Sequence, residues 1–267
     1  MALKLDMSKT YDRVEWDSLE AIMRKLGFAE KWVAVIMSCI RSIQYSVLLD
    51  GVPTGYIIPF RGIRQGDPLS PYLFLMCAEG LSALLRQAST AGRLKGTQTS
   101  RGGPWVSHLF FADDSLLFGQ ATIADSERFM AILNLYEESS GQKINREKMA
   151  IFFSTNTPPT TRSLIQEFWG SQGVASFDKY LGLPTMIGRS KKSIFNSLKS
   201  RIVQRLQGWK EKFLSRAGRE ILIKAVAQAI PTYTMNCFKL PKTWCEEINS
   251  LIARFWWGQK NEERKLH

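Results

Sequence analysis

Two adjacent aspartates constrain the fold of this chain more than any other stretch. Asp113 and Asp114 stand between two apolar runs, Trp105–Phe111 and Leu116–Phe118. Each run has the length of a short buried strand, and the aspartates between them predict the tip of a tight hairpin. Neighbouring carboxylates repel each other, and a divalent cation such as Mg²⁺ relieves that repulsion. The alternative is a solvated turn, where aspartate is common.

The composition is that of an ordinary globular protein with enough residues for one or two domains. The chain has 267 residues, of which 45% are apolar and 22% charged, so a sizeable core is expected. No apolar stretch is long enough to span a membrane, and no apolar leader follows Met1. The cysteines form no close pair, which predicts reduced, buried thiols in an intracellular protein, nuclear or cytoplasmic.

The positive charge of the chain is concentrated in its last third. Residues 1–185 hold 19 Lys and Arg against 18 Asp and Glu, whereas residues 186–267 hold 17 against 6. A basic region of this kind favours a polyanion such as a nucleic acid, because binding releases counterions. The alternative is a solvated, lysine-rich helical surface.

Apolar periodicity predicts strands and helices in a mixed order. A first strand ends on Asp6, and Ser70 is expected to cap the third helix, which Pro71 opens. The predicted helices are Trp16–Leu26, Glu30–Arg41, Tyr72–Gln87 and Ala124–Glu138. The other predicted strands outside the aspartate hairpin are Tyr45–Leu49, Tyr56–Phe60, Met149–Phe153 and Tyr180–Pro184. After these elements the pattern is helical almost to the end.

This order predicts an α+β fold, in which an antiparallel sheet with packed helices is followed by a mainly helical region. Asp6 and Asp113 stand at strand ends that are separated by helical crossings, so they can meet on neighbouring central strands. Carboxylates placed in this way can clamp two metal ions for phosphoryl or nucleotidyl transfer.

Five segments in a fixed order resemble the motifs of reverse transcriptases. They are residues 3–12 (LKLDMSKTYD, motif A), 62–71 (GIRQGDPLSP, motif B), 111–114 (FADD, motif C), 141–148 (motif D) and 180–184 (the short motif after it). The tail is similar to the region after the palm in plant non-LTR (LINE-type) retrotransposons, at residues 217–220 (AGRE), 229–233 (AIPTY) and 255–258 (FWWG). The match covers essentially the whole chain, and motifs B and C in order after A make it specific.

The resemblance implies a right-hand polymerase that copies RNA into DNA. Residues 1–185 would form its palm, and residues 186–267 a basic, thumb-like helical region. Two Mg²⁺ ions, or Mn²⁺ in their place, would be held by the motif aspartates and one backbone carbonyl: Asp6, Asp113, Asp114 and Met7. One ion would help to deprotonate the primer 3′-hydroxyl, and the other would stabilise the departing pyrophosphate. The implied partners are an RNA template, a DNA primer and deoxynucleoside triphosphates, with no membrane.

Motif A also carries the residues that the resemblance places at the nucleotide sugar. Tyr11 matches the aromatic residue that crowds the 2′-position and favours deoxynucleotides; the alternative is a core aromatic beside Trp16. Thr10 departs from the alanine usual in the family, and its extra methyl and hydroxyl groups would crowd the nucleotide pocket. Asp12 is expected to pair with a nearby basic group.

Motifs B and D supply further candidates for the nucleotide and template. Gln65 and Gly66 match the loop that lies against both; the alternative is a loop shaped only to start a helix. Arg64 either reaches a phosphate or is solvated. Lys148, ahead of Lys143, is a candidate to act on the pyrophosphate as a cation or an acid, with a plain surface lysine as the alternative.

Basic residues of the tail are candidates for contact with the template and primer. They are Lys210, Lys212, Arg216, Arg219 and Lys224. Tryptophans are interleaved with them, and aromatic side chains beside cations can stack on bases. Their near-helical spacing favours core packing for most of these tryptophans instead.

The resemblance begins at motif A, so the fingers region that precedes this motif in the family is expected to be absent. A palm without fingers would expose apolar edges, and a partner chain would have to supply that region. Two hypotheses follow: an RNA-directed DNA polymerase, or a catalytically inactive nucleic-acid-binding remnant of a retroelement. A nucleotidyl cyclase or another palm enzyme is a third, which leaves the motif B loop unexplained.

Overall fold

A computed structural model of the chain describes residues 1–170, 180–183, 191–210 and 214–258. The chain divides into two compact units, Met1–Ala175 and Ser176–His267. The structure places the division after Ala175, whereas the sequence predicted it after residue 185. The role of each unit stays a prediction.

The first unit alternates short strands with longer helices. Its elements are β1 (Ala2–Leu5), α1 (Trp16–Lys25), α2 (Glu30–Arg41), β2 (Tyr45–Leu49), β3 (Val52–Ile57), α3 (Ser70–Thr90), β4 (Thr97–Gln98), β5 (Trp105–Val106), β6 (His108–Phe111), β7 (Asp114–Phe118), α4 (Ile123–Ser140), β8 (Ala150–Phe152) and α5 (Pro159–Trp169). The predicted α+β class is thereby confirmed.

A four-stranded antiparallel sheet carries the aspartates of motifs A and C. Its order is β6–β7–β1–β8, so β1 and β7 are the two central strands. Side chains alternate between the two faces of a strand. On β1, Leu3 and Leu5 are fully buried, whereas Lys4 is only half-buried on the opposite face. One face of the sheet is therefore core, and the other is available to a ligand.

The core lies between that buried face and three helices. The cluster joins residues of β1, β7 and β8 to buried side chains of α3, α4 and α5, including Leu85, Phe129 and Ile165. Full burial of one such side chain stabilises the fold by roughly 1.5–3 kcal/mol. A second cluster packs α1 and α2 against the first half of α3, where Leu73 and Phe74 are buried.

The hairpin of β2 and β3 is tighter than the sequence predicted. The second strand begins at Val52, directly after the turn, instead of at Tyr56. Asp50 and Gly51 both have positive φ, 50° and 80°, which is the geometry of the two-residue turns that match strand twist. Every residue of both strands is exposed.

Two further predictions about local structure are wrong, and one helix was not predicted. Ser70 is the first residue of α3 and does not cap it; the Leu69 N–H donates to the Asp67 carboxylate instead, at 2.8 Å. The sequence also missed α5. Residues 180–183 form a tight turn rather than a strand, because Leu181 and Gly182 adopt positive φ. Pro184 lies outside the described residues.

The second unit is mainly helical over its described residues, as predicted. It contains α6 (Lys191–Lys210), α7 (Arg216–Leu222), a π-helical turn (Ile223–Ala227), α8 (Ala229–Cys237) and α9 (Lys242–Trp256). Trp244 anchors its core at 2% exposure, and its indole N–H donates to the Phe195 carbonyl at 3.2 Å. Core packing is thus confirmed for this tryptophan, while Trp257 is exposed.

The structure describes all four cysteines. All four cysteines are free, as predicted. Cys77 is buried, but Cys39 and Cys237 are exposed, so the expected burial is wrong for these two. Among the residues that the structure describes, no helix combines the length and apolar character needed to cross a membrane.

Candidate active site

Two of the three motif aspartates face each other across the central strands. The register of β1 and β7 pairs Leu5 with Ser115, so the next step along both strands brings Asp6 opposite Asp114. Opposite residues in an antiparallel pair share a face, with Cβ atoms about 4.5–5.5 Å apart. Asp113 lies in the turn before β7 and is exposed, and no described residue pairs with its carboxylate.

Lysines lie beside two of these carboxylates. The Lys4 ammonium is 3.3 Å from the Asp114 carboxylate, and the Lys148 ammonium is 3.7 Å from that of Asp6. All four side chains are partly exposed, so solvent screens both pairs. Lys143 pairs with Glu137 instead, at 3.1 Å. Of the two motif D lysines, Lys148 is therefore the one near Asp6.

The donor chemistry fits a divalent cation, but the geometry of a three-ligand group is not formed. Carboxylate oxygens on one face of two adjacent strands are the ligands that Mg²⁺ prefers. Among the described residues, however, no three His, Cys, Asp or Glu side chains lie close enough together to hold a metal ion. The backbone carbonyl of Met7, another predicted ligand, accepts a hydrogen bond from the Thr10 hydroxyl at 3.3 Å.

The motif A turn is fastened by the segment that follows α4. The Ser8 N–H donates to the Lys143 carbonyl at 2.7 Å, and the Asn145 N–H donates to the Asp6 carbonyl at 2.8 Å. The buried Gln142 amide donates to the Thr10 carbonyl at 2.9 Å. These bonds fix the backbone on both sides of Asp6, so the carboxylate is presented by a rigid strand end.

The buried carboxylate of Glu137 in turn holds this segment. One of its oxygens accepts the Ile144 N–H at 2.7 Å, and the other accepts the Lys143 ammonium at 3.1 Å. Glu137 is 9% exposed. Sequence reasoning missed both Glu137 and Gln142, because each acts through a backbone partner that only the folded chain reveals.

Tyr11 and Thr10 of motif A point into packed surroundings. The Tyr11 ring stacks on Phe74 with centroids 5.6 Å apart, and it packs against the second core cluster together with Trp16. Thr10 is buried, and its hydroxyl is satisfied by Met7. The Tyr11 ring is half-buried, which leaves part of it available to a ligand.

The motif B loop is docked on motif A through Gly62. Its N–H donates to the Val14 carbonyl at 2.8 Å, and its carbonyl accepts the Trp16 indole N–H at 2.7 Å. Gly62 has a φ of 88°, and an added Cβ would lie 2.9 Å from the Asp12 carbonyl oxygen. Only glycine fits this position without displacing the backbone.

We expect Gly62→Ala to lower the free energy of unfolding by about 2–4 kcal/mol, from left-handed strain plus the clash with Asp12. Gly66→Ala is the matched control. Gly66 has a φ of 84° but no atom within 4 Å of the added Cβ, so about 1–2 kcal/mol is expected. Urea unfolding curves of both variants check this, and equal losses would contradict the docking role of Gly62.

The remaining predicted nucleotide residues lie on the exposed rim of this loop. The Gln65 amide donates to the Asp12 carboxylate at 3.3 Å, so the expected partner of Asp12 is an amide and not a basic group. Gly66 and Arg64 are exposed, and the Arg64 side chain has no partner among the described residues. The loop therefore leaves its guanidinium available to an anion.

The predicted nucleic-acid residues of the tail differ in how they are engaged. Arg219 donates to the Trp256 carbonyl at 3.0 Å, and Lys224 pairs with Glu220 at 2.6 Å. Arg216 is exposed at the start of α7. Lys212 and the side chain of Lys210 lie outside the described residues.

Unpaired cations in the second unit lie elsewhere, on α6. Arg201 and Arg205 are one helical turn apart and exposed, and neither has an ion-pair partner in the part of the chain described. With Gln204, Gly208 and Trp209 they line a cavity of about 540 Å³ against the π-helical turn and α8. This pair was not predicted from the sequence, although i, i+4 spacing places two side chains on the same face of a helix.

Comparison with known proteins assigns a family to this arrangement. Residues 1–196 match the family model described as reverse transcriptase (RNA-dependent DNA polymerase). Because this match covers most of the chain, the chain belongs to the reverse transcriptase family. Divalent metal ions are the usual cofactors of that family.

Individual relatives are retrotransposon proteins and an organellar protein. A 149 kDa protein of transposon TX1 from Xenopus laevis is 27% identical over 97% of this chain and 19% of its own length. A type-1 R2 retrotransposable element Pol polyprotein from Popillia japonica is 27% identical over 73% of this chain and 32% of its own. An uncharacterised mitochondrial protein of Arabidopsis thaliana is 53% identical over 26% of this chain and 56% of its own. The chain thus spans less than two thirds of the length of each of these relatives.

Among solved structures, telomerase from Candida albicans is similar to this chain. The similarity covers 96% of this chain and 43% of the telomerase chain, with a TM-score of 0.47 and 16% identity.

Proposed function

We propose that this chain is the palm and thumb-like part of an RNA-directed DNA polymerase. The observation that carries the proposal is the pair Asp6 and Asp114, opposite each other on the two central strands, with Asp113 in the adjoining turn. The reverse transcriptase family model over the same residues supports it. The substrates would be deoxynucleoside triphosphates, a DNA primer and an RNA template.

In this reaction the chain's carboxylates would hold two Mg²⁺ ions. Bound there, the ions would activate the primer 3′-hydroxyl and neutralise the departing pyrophosphate. The backbone around Asp6 is well held, since the Asp6 carbonyl accepts the Asn145 N–H and the Ser8 N–H donates to the Lys143 carbonyl. Lys148, near Asp6, is suited to bind the pyrophosphate or to donate a proton to it.

Tyr11 would select the sugar of the incoming nucleotide. We expect Tyr11→Val to raise ribonucleotide incorporation relative to deoxynucleotide by roughly 10- to 200-fold, because the ring that would crowd a 2′-hydroxyl is removed. Tyr11→Phe keeps the ring that stacks on Phe74 and should behave as the parent chain. Competing incorporation of the two nucleotides on one primer measures the ratio, and an unchanged ratio in Tyr11→Val would refute the gate.

The template and primer would be held partly by the second unit. Its support is Arg201 and Arg205, two cations without an ion-pair partner among the described residues, beside Trp209 and the cavity that all three line. Cations bind phosphates while an aromatic ring can stack on a base. Arg216 remains a candidate, whereas Arg219 and Lys224 already have partners within their own unit.

A partner segment that supplies the fingers is also part of the proposal. The exposed β2–β3 hairpin supports it, since a two-stranded hairpin is only marginally stable alone and normally gains a third strand or a packed helix. Its apolar side chains include Leu48 at 67% and Tyr56 at 82% exposure. Several exposed apolar side chains on one hairpin are typical of a protein interface.

The second candidate is a catalytically inactive nucleic-acid-binding remnant. It is favoured by the lysines that pair with two of the motif carboxylates, and by the lack of a three-ligand metal group among the described residues. The basic second unit would serve either function.

One assay separates the two candidates. The purified chain is given a DNA primer on an RNA template, deoxynucleotides and Mg²⁺, beside an Asp113→Asn, Asp114→Asn double variant. Extension that the double variant and EDTA both abolish supports the polymerase. Primer–template binding without extension supports the remnant, and absence of both activities in folded protein refutes both.

A further inference from the structure

Lys4 has an unusual position for a charged residue. It lies in the middle of a central strand, between the fully buried Leu3 and Leu5. Strand alternation puts it on the open face of the sheet, the same face as Asp6 two residues later. Its backbone neighbours across the sheet are Leu116 and Ala150. The Lys4 side chain therefore lies on the face of the sheet that carries the motif carboxylates, and it is 29% exposed there.

The ammonium of Lys4 is directed at one carboxylate of the motif C pair. It lies 3.3 Å from Asp114, with both side chains about one third exposed. Asp113, the neighbouring carboxylate, has no such partner among the described side chains. The two adjacent aspartates are therefore electrostatically unequal before any cation binds.

The balance of charge at this face shows how the difference between Asp113 and Asp114 affects cation binding. Three negative charges come from Asp6, Asp113 and Asp114. Lys4 and Lys148 contribute two positive charges. Lys148 is 69% exposed at the end of a loop and can swing away, whereas Lys4 is 29% exposed on a central strand. A cation that binds Asp114 must either displace the Lys4 ammonium or share the carboxylate with it.

We propose that Lys4 is a positioning residue that engages Asp114 and keeps it out of the first metal-binding set. The first divalent cation is then held by Asp6 and Asp113. Asp114 becomes available only when a second cation or a substrate phosphate draws Lys4 away. This inference rests on the proposed function, because it assigns the order in which the carboxylates of that site take up metal.

The test is Mn²⁺ binding, followed by the electron paramagnetic resonance signal of free Mn²⁺ at physiological ionic strength. Lys4→Met removes the charge and keeps an unbranched side chain of similar length. We expect Lys4→Met to bind Mn²⁺ about three- to tenfold more tightly than the parent chain, since Asp114 is released to the cation. Lys4→Arg retains the charge and should match the parent.

A double-mutant cycle identifies Asp114 as the group through which Lys4 acts. Asp114→Asn alone should weaken binding by no more than about threefold, because solvent screens the Lys4 ammonium that the substitution leaves without its partner. In the Lys4→Met background the same substitution should return the affinity to the parental value. Thermal unfolding followed by circular dichroism checks that all four proteins are folded.

The opposite pattern overturns the inference. If Asp114→Asn weakens Mn²⁺ binding strongly in the parent chain, or if Lys4→Met binds no more tightly, then Lys4 does not hold Asp114 back. Either result leaves the proposed polymerase intact as long as the parent chain binds Mn²⁺ through Asp6. If neither the parent nor Lys4→Met binds more Mn²⁺ than an Asp6→Asn, Asp113→Asn variant, the two-metal function itself fails, and this inference with it.

Discussion

Replacing Asp6 by asparagine is expected to reduce nucleotide addition by about 10³-fold, the loss typical of removing one group that stabilises transition-state charge. The substitution keeps the size of the side chain and removes one negative charge from the site. Hydrogen bonds hold the backbone on both sides of Asp6, so little can move to compensate for the lost carboxylate. The measurement is single-turnover extension of a DNA primer on an RNA template with Mg²⁺.

Asp17→Asn is the matched control for this loss. Its carboxylate is 97% exposed on α1 and, among the residues that the structure describes, pairs only with Arg41 at 3.1 Å. Its removal should therefore leave both the rate and the stability nearly unchanged. A parental rate in Asp6→Asn would mean that the motif A carboxylate does not hold a metal in this chain. An equal loss in both variants would point to a general electrostatic effect instead.

The fold was predictable wherever the sequence carried a local signal. Alternation through Leu3 and Leu5 identified β1, and amphipathic periodicity identified α2 with the bounds the structure has. The placement of β1 beside β7 followed from carboxylates at strand ends that a shared cation would bring together. In each case a few neighbouring residues held the whole signal.

Predictions failed where the deciding contact was distant in sequence or depended on one backbone conformation. The Gln142 amide donates to the Thr10 carbonyl, 132 residues away in the chain, and no local sequence pattern predicts that hydrogen bond. Residues 180–183 were apolar enough to suggest a strand, but positive φ at two positions closes them into a turn. Secondary-structure propensity alone predicts neither the long-range hydrogen bond nor the turn.

The candidate site was predictable in its residue types but not in its charge balance. The motif aspartates and Lys148 stood out from the sequence. Lys4 did not, because a lysine in a strand is ordinarily read as a solvated position. Only the register of β1 and β7 reveals that its ammonium reaches Asp114.

Substitution of Glu137 by leucine is expected to cost the first unit about 2–4 kcal/mol of unfolding free energy. The change leaves the buried Ile144 N–H without an acceptor, which carries a desolvation penalty, and it removes the partner of the half-exposed Lys143 ammonium. Glu137→Gln is the matched variant, because its amide oxygen can still accept the Ile144 N–H. About 1 kcal/mol is expected for it.

The consequence for the active site follows from what Glu137 holds in place. The segment it fixes carries the Lys143 carbonyl and the Asn145 N–H, which bond to Ser8 and Asp6 at the end of β1. Loosening this segment should therefore lower primer extension in Glu137→Leu more than in Glu137→Gln, under conditions where both remain folded. Urea unfolding and amide hydrogen exchange at Ser8 measure the two effects separately. If the Ser8 amide stays fully protected in Glu137→Leu, the strand end is held by β1 and β7 alone, and the support from the segment after α4 is dispensable.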